Sequence, residues 1–407
     1  MAVQVAARRS LSVTGSLVSM MLSRLLLVSG AVVLFLAAVV PVRAGEPDMA
    51  YIGLMGYGLY SMQVTADRQI LLGSSGGVWQ VSGDGQRLSP FSGLGLPETS
   101  CSVAGEPTDE TGPCYIPSLV VNSRGDIFAV LSNDSLPGRL YRWLSGGKVW
   151  EAVPGASQML RSDDDSVGLV AVAPDGTLYV TVSFWFRGPR AAVYRSADGG
   201  VTWAEVAYLG GDYWETIDSL AVSPEGQVWL GGGKLGSSHW MRVSSDGGAT
   251  WTTRTVIPET ANQLTDSHNT LDYAFDGAGG VYVTTAGGGG DYPAGVYRSF
   301  DGGVIWERLA SSEANRDLGA VALTADRHIC YSAQGSVRCS ADDGVSWTVL
   351  TFRADYPPTY VKDLLIDSDG HLWAATESRG LSVAANAGLY RSQQPVGAGW
   401  PLQPEVE

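Results

Sequence analysis

Residues 195–203 read "RSADGGVTW", and nearly the same letters return at 243–251 ("VSSDGGATW") and at 298–306 ("RSFDGGVIW"). A single Asp-Gly-Gly loop could carry an active-site acid, but recurrence at matched positions gives it a structural meaning. An Asp in a tight turn accepts hydrogen bonds from the backbone amides that follow it, and Gly takes positive φ without steric cost. A Thr or Ser before the Trp adds a hydroxyl bond, and the Trp fills space between neighbouring units. The reading therefore gives scaffold roles to Asp198, Gly199, Gly200 and Trp203, to Asp246 and Trp251, to Asp301 and Trp306, and to Asp342 and Trp347. Arg195, Arg298 and Arg391 recur beside the turn in "YRS". Once per unit, they too mark a scaffold position.

Aligning on these turns exposes a repeat of about 50 residues. Its openings are apolar strands that turn at Gly or Asp and continue in a β-branched or aromatic strand: "LVAVAPDGTLYVTV" (169–182), "SLAVSPEGQVWLGG" (219–232), "DLLIDSDGHLWAAT" (363–376), and weaker forms at 62–73, 119–130, 272–285 and 320–332. Short alternating strands joined by turn residues, with no 3.6-residue period, make an all-β chain. Seven units of four strands predict a seven-bladed β-propeller of four-stranded antiparallel blades. Trp150 stands at the turn register of one weaker copy and Trp400 at that of a decayed last copy; the first unit keeps only Ser82, Asp84 and Gly85. The boundaries follow: 1–44 a signal segment, 45–58 an N-terminal extension that either joins an edge strand or wanders, and 59–407 the propeller.

The turns resemble the Asp-box, or BNR, repeat of sialidases, Vps10-type sorting receptors, a photosystem II assembly factor and xyloglucan-degrading hydrolases. Openings such as "DGHLWAAT" and "DGTLYV" are similar to two-component regulator propeller repeats. The resemblance covers nearly all of 59–400 and implies the propeller fold; because catalytic and non-catalytic proteins share the repeat, it leaves function open. A sialidase-like site would imply an arginine triad, a Tyr/Glu nucleophile pair and an Asp acid. The early R-I-P arginine motif is absent from the first unit, while Arg187, Arg316 and Arg379 fall on loops without individual matches to the triad. Xyloglucan hydrolases of this class would imply two propellers, and one is legible here.

The chain of 407 residues carries 26 Lys and Arg against 41 Asp and Glu, a formal charge of −15. That balance repels a phosphate backbone, so nucleic acid is not an expected partner. Arg8, Arg9 and Arg24 precede the apolar run Leu25–Val40 and a small-residue end at Val42 and Ala44, the order of a secretory signal cleaved after Ala44; an uncleaved anchor is the alternative. The expected location is secreted or periplasmic, as a monomer with no membrane span after cleavage. Four cysteines form two local pairs: Cys330 and Cys339 face each other across a hairpin around Gln334-Gly335, and Cys101 and Cys114 bracket a polar loop. Two disulfides are expected.

In a four-stranded blade the first-to-second and third-to-fourth turns share one face, and the second-to-third loops and interblade links share the other. The long loops all fall on the latter, among them "GGGKLGSSHW" and "AGGGGDYPAG", and function sits on loops over a rigid scaffold. Trp185, Tyr213, Trp214, Tyr292 and Tyr356, with Arg187, His268, Arg316 and Arg379, are candidate ligand-binding residues: rings stack on sugar C–H faces while polar groups bond hydroxyls. The alternative is that the aromatics only pack the loops against the blade ends. For glycoside hydrolysis, Asp212 and Glu215 in "GGDYWE", with Asp291 across the face, are the candidate acids, which would have to stand about 5–9.5 Å apart.

Other chemistry is set aside. "GSSGG" (73–77) lies in a predicted hairpin rather than a nucleophile elbow, "GGGG" (287–290) precedes no helix, and the four histidines lack metal-ligand spacing. "SDDDS" (162–166) and "DSDG" (367–370) lack a full calcium ladder and read as solvated turns. No cofactor or metal is expected. The sequence thus predicts a non-catalytic binding or assembly module for a glycan or an envelope protein, with a glycoside hydrolase as the alternative and a sensor propeller as a third possibility.

Overall fold

The structure is a computed structural model that describes residues 48–91, 96, 115–132, 138–184, 190–209, 215–234, 237–254, 256, 269–286, 294–311, 318–333, 335–352, 358, 360–377 and 387–396. The propeller belongs to the unit Pro47–Glu407. A first strand, β1 (Met49–Gly53), precedes the repeats. Blade one holds β2 (Leu59–Val64), β3 (Ile70–Ser74), β4 (Gly77–Val81) and β5 (Leu88–Pro90); blade two holds β6 (Tyr115–Val121), β7 (Ile127–Ser132), β8 (Arg139–Trp143) and β9 (Glu151–Ala152). Blade three is β10 (Ser166–Val172), β11 (Leu178–Phe184), β12 (Arg190–Ser196) and β13 (Ala204–Leu209); blade four is β14 (Glu215–Val222), β15 (Val228–Lys234), β16 (Ser237–Ser244) and β17 (Thr252–Arg254). Blade five contains β18 (Asn269–Phe275), β19 (Val281–Ala286), β20 (Gly295–Ser299) and β21 (Glu307–Ser311), and blade six β22 (Leu318–Leu323), β23 (Ile329–Ala333), β24 (Ser336–Ser340) and β25 (Thr348–Leu350). Blade seven has β26 (Tyr360–Ile366), β27 (Leu372–Glu377) and β28 (Leu389–Ser392).

Each of the first six blades is an antiparallel sheet in sequence order, and the seventh has the order β1-β28-β27-β26. The outermost strand of the last blade is therefore the N-terminal β1, with Met49 opposite Ser392 and Tyr51 opposite Tyr390. Residues from the extension 45–58 join the ring at its seam, and Trp400 lies outside the described residues. Pairing the two ends of the chain removes the gap a propeller would otherwise leave. Met49 is fully buried in the core between blades six and seven.

The β-branched and aromatic strands pack as layers between blades, so that several small cores replace one large one. Trp229 and Trp373 are fully buried in two of them. Cys330 and Cys339 are directly opposite on β23 and β24 and form a disulfide with Cα atoms 4.1 Å apart; Cys101 and Cys114 lie outside the described residues. The disulfide occupies a position that other blades fill with an aromatic–arginine pair: Phe128 opposite Arg142, Tyr179 opposite Arg195, Tyr282 opposite Arg298 and Trp373 opposite Arg391.

Two sequence expectations need correction. "GGGKLGSSHW" is not an irregular loop: β15 and β16 extend until Lys234 pairs with Ser237, leaving only residues 235–236 between them. "SDDDS" is not merely a solvated turn. Asp165 is 1% exposed, and its carboxylate accepts the amides of Arg161 (2.6 Å) and Ser162 (2.8 Å) and the Ser162 hydroxyl (3.0 Å).

Candidate functional site

The Asp-Gly-Gly turns are built alike. Asp198 Oδ1 accepts the amides of Val201 (3.0 Å) and Thr202 (2.9 Å) and the Ser196 hydroxyl (2.7 Å), while Oδ2 accepts the Thr202 hydroxyl (2.6 Å). Ser196 Oγ in turn accepts the Gly200 amide at 2.8 Å. The pattern returns at Asp246, Asp301 and Asp342 with Ser244, Ser299 and Ser340. These bonds favour the ionised form: Asp198 is held far below the usual carboxylate range, first by Thr202, and Asp246 is lowered to about 2, first by Thr250. The Gly two residues after each Asp has positive φ and lies against the preceding blade; a Cβ on Gly248 would come within 2.7 Å of Val206. The tryptophans face the same way. Trp251 Nε1 donates to Val206 O at 2.8 Å, and Trp306 packs beside Trp229. Arg142 reaches the other way round the ring, donating to Gly199 O at 3.0 Å. The turn carboxylates named here are thus engaged by groups of their own turns.

The ring axis is different. A cavity of about 830 Å³ is walled by the innermost strands of all seven blades. Two aspartates in that wall bridge blades. Asp272 on β18 accepts the Tyr273 amide (2.8 Å) and, across the seam, the Val321 amide of blade six (2.9 Å). Asp363 on β26 accepts the Met62 amide of blade one at 2.6 Å, at the closing seam. Ser118 does the same between blades two and three, its Oγ accepting the Val170 amide at 3.1 Å. Although hydrogen-bonded, both acids are pushed up by loss of water: Asp272 to about 6, and Asp363 well above the usual range by desolvation first and the charge of Asp272 second. Lys362, also in the wall, pairs with Glu377 at 3.0 Å beside the ring of Tyr360.

Of the loop candidates, Trp185, Arg187, Asp212, Tyr213, Trp214, His268, Asp291, Tyr292, Arg316, Tyr356 and Arg379 lie outside the described residues. Glu215 opens β14, its backbone paired with Lys234 at the loop-face end of the innermost strand of blade four. Sequence reasoning passed over Tyr60, Asp218, Asp272, Lys362 and Asp363, all lining the cavity. A signal for two of them was present. Asp272 and Asp363 each stand four residues before a turn aspartate, Asp276 and Asp367. Among the described residues no group of three His, Cys, Asp or Glu is placed to hold a metal, and no helix is long and apolar enough to cross a membrane.

A family described as "Two component regulator propeller" matches residues 355–378, which contain β26 and β27. Among curated relatives, a xyloglucanase from Paenibacillus sp is 26% identical over 251 residues, 54% of this chain and 24% of that protein. A xyloglucanase from Acetivibrio thermocellus is 25% identical over 225 residues, 49% of this chain and 26% of that one. The match thus spans about a quarter of the length of these relatives. Among solved structures, the extracellular domain of a hybrid two-component system from B. thetaiotaomicron superposes with TM-score 0.57 at 13% identity, covering 85% of this chain and 40% of that chain. A virginiamycin B lyase variant from Staphylococcus aureus gives 0.55 at 11%, covering 85% and 99%. At these identities the structures establish a shared propeller fold, and the chain is a propeller module similar to two-component regulator ectodomains.

Proposed function

We propose that this chain is a secreted or periplasmic, monomeric, non-catalytic propeller that binds a glycan through its long-loop face. The observation that carries the reading is the unequal use of acids on the two sides of the ring. The turn-face aspartates are taken up by backbone amides, as an Asp-box repeat requires, which leaves recognition to the opposite face. There the sequence gathers Trp185, Tyr213, Trp214, Tyr292 and Tyr356 among carboxylates and arginines, a composition suited to stacking on and hydrogen-bonding a sugar. Similarity to proteins named xyloglucanases supports a glycan over a protein and makes xyloglucan the first to test. A glycan array should give a positive signal with the mature protein. A blank array together with a specific envelope-protein partner would replace the glycan reading.

One observation favours hydrolysis as the second reading. The backbone of Glu215, one of the candidate acids, opens an innermost strand at its loop-face end. Turnover of chromogenic glycosides that disappears in Asp212→Asn and Glu215→Gln would overturn the non-catalytic reading.

A further inference from the structure

The seven innermost strands share one irregularity. Each slips register once against its neighbour, around Tyr60, Ile116–Pro117, Gly168–Leu169, Asp218, Leu271, Gly319–Ala320 and Lys362. A bulge re-aims the side chain at the slip, and Tyr60, Pro117, Leu169, Asp218 and Lys362 all line the cavity. The turn positions repeat the same letters blade after blade, whereas these seven do not. A position that the fold uses sevenfold, that lines the cavity in six of the blades and that carries residues as unlike as Tyr60, Pro117, Asp218 and Lys362 is where a repetitive scaffold acquires specificity.

The wall has two characters. On one side Tyr60 stands 5.3 Å from Tyr115, ring centre to ring centre, and Tyr360 flanks the Lys362–Glu377 pair. Three blades away, Asp218 contributes a carboxylate that accepts the Thr216 hydroxyl at 3.2 Å. Lower in the wall, Asp272 and Asp363 are committed to interblade amides. Because the cation is already paired, the wall does not call for an anionic guest, and its rings and hydroxyl-accepting carboxylate suit apolar faces and hydroxyl edges. A cavity of about 830 Å³ lies in the usual range for small-ligand sites, about 300–1,000 Å³. The ring is closed by β1 on β28, so a polymer cannot slip in sideways between blades. Only an end can enter along the axis.

We infer that the channel seats one terminal unit of a neutral glycan, with Tyr60 as stacking platform and Asp218 as hydroxyl acceptor, so that the protein distinguishes chain ends from chain interiors. This rests on the glycan reading above. The test is calorimetric titration of the full chain with xyloglucan heptasaccharide and with polymeric xyloglucan. Equal affinity per chain end is expected for both probes, with a loss of about tenfold or more in Tyr60→Ala and in the near-isosteric Asp218→Asn. Cooperative unfolding at the wild-type temperature shows that each variant is folded. Polymer binding at many sites per chain, unchanged by either variant, would overturn the channel inference and leave the glycan reading intact. Binding of neither probe, together with a blank glycan array, would overturn both.

Discussion

The rim turns and the channel wall use the same device, a carboxylate accepting backbone amides, in opposite surroundings. At the rim, Asp246 is bathed in water, so hydrogen bonds decide and its acidity rises, to about 2. On the ring axis, Asp272 also accepts two amides, yet desolvation outweighs them and its value climbs to about 6. The difference teaches that recurrence identifies a strut only by its backbone partner; solvent then determines what else that strut can do.

The comparison breaks most visibly at the seam. Asp363→Ala would leave the Met62 amide without its acceptor, a loss of about 1–3 kcal/mol, read as a lower denaturation midpoint. Asp198→Ala at the rim should lower the midpoint less, because water replaces the lost carboxylate. Equal losses would mean that burial does not separate the two regions.

Acidity sharpens the contrast. Asp246, lowered in the fold from 3.8 to about 2, contributes stability that is present above pH 4 and lost as pH falls through its folded value. Asp272 acts with the opposite sign. Between about pH 4 and 6 the folded state keeps a proton that the unfolded state has released, so its contribution falls as pH rises. Thermal midpoints from pH 3 to 8 should flatten between 4 and 6 in Asp272→Asn, and below 4 in Asp246→Asn. The same profile in both variants would refute the assignment.

Smaller effects lie within the turns. In blade five Ile305 stands where Thr202, Thr250 and Ser346 bond their aspartates; it is 72% exposed and gives Asp301 only its amide. Ile305→Thr should raise the midpoint slightly, and a fall would show that the exposed isoleucine has its own contact. Arg68 sits at φ 64°, where the equivalent turns of the other blades carry Gly, apart from Arg327 in blade six. Arg68→Gly should stabilise by roughly 0.5–1 kcal/mol, since it gives up only a surface ion pair with Asp369.

Much of the fold was legible because its determinants are local. The Asp-Gly turns, the strand alternation and the Cys330–Cys339 hairpin each act within about a dozen residues. Ring closure was not legible: "MAYIG" (49–53) carries no turn signal and its partner is β28, at the far end of the repeats. Nor was the channel, because a register slip at Tyr60 or Lys362 leaves no letter behind and depends on how neighbouring blades meet. Blade four misled for a related reason, its glycines suggesting a loop where two strands run on to Lys234 and Ser237.

The turns serve as scaffold, and recognition is proposed for the loop face and channel. Parallel titration of xyloglucan heptasaccharide into Asp198→Asn and Asp218→Asn tests that most directly. Unchanged affinity in the first and lost affinity in the second is the predicted result; binding that survives Asp218→Asn and vanishes in a folded Asp198→Asn would contradict it.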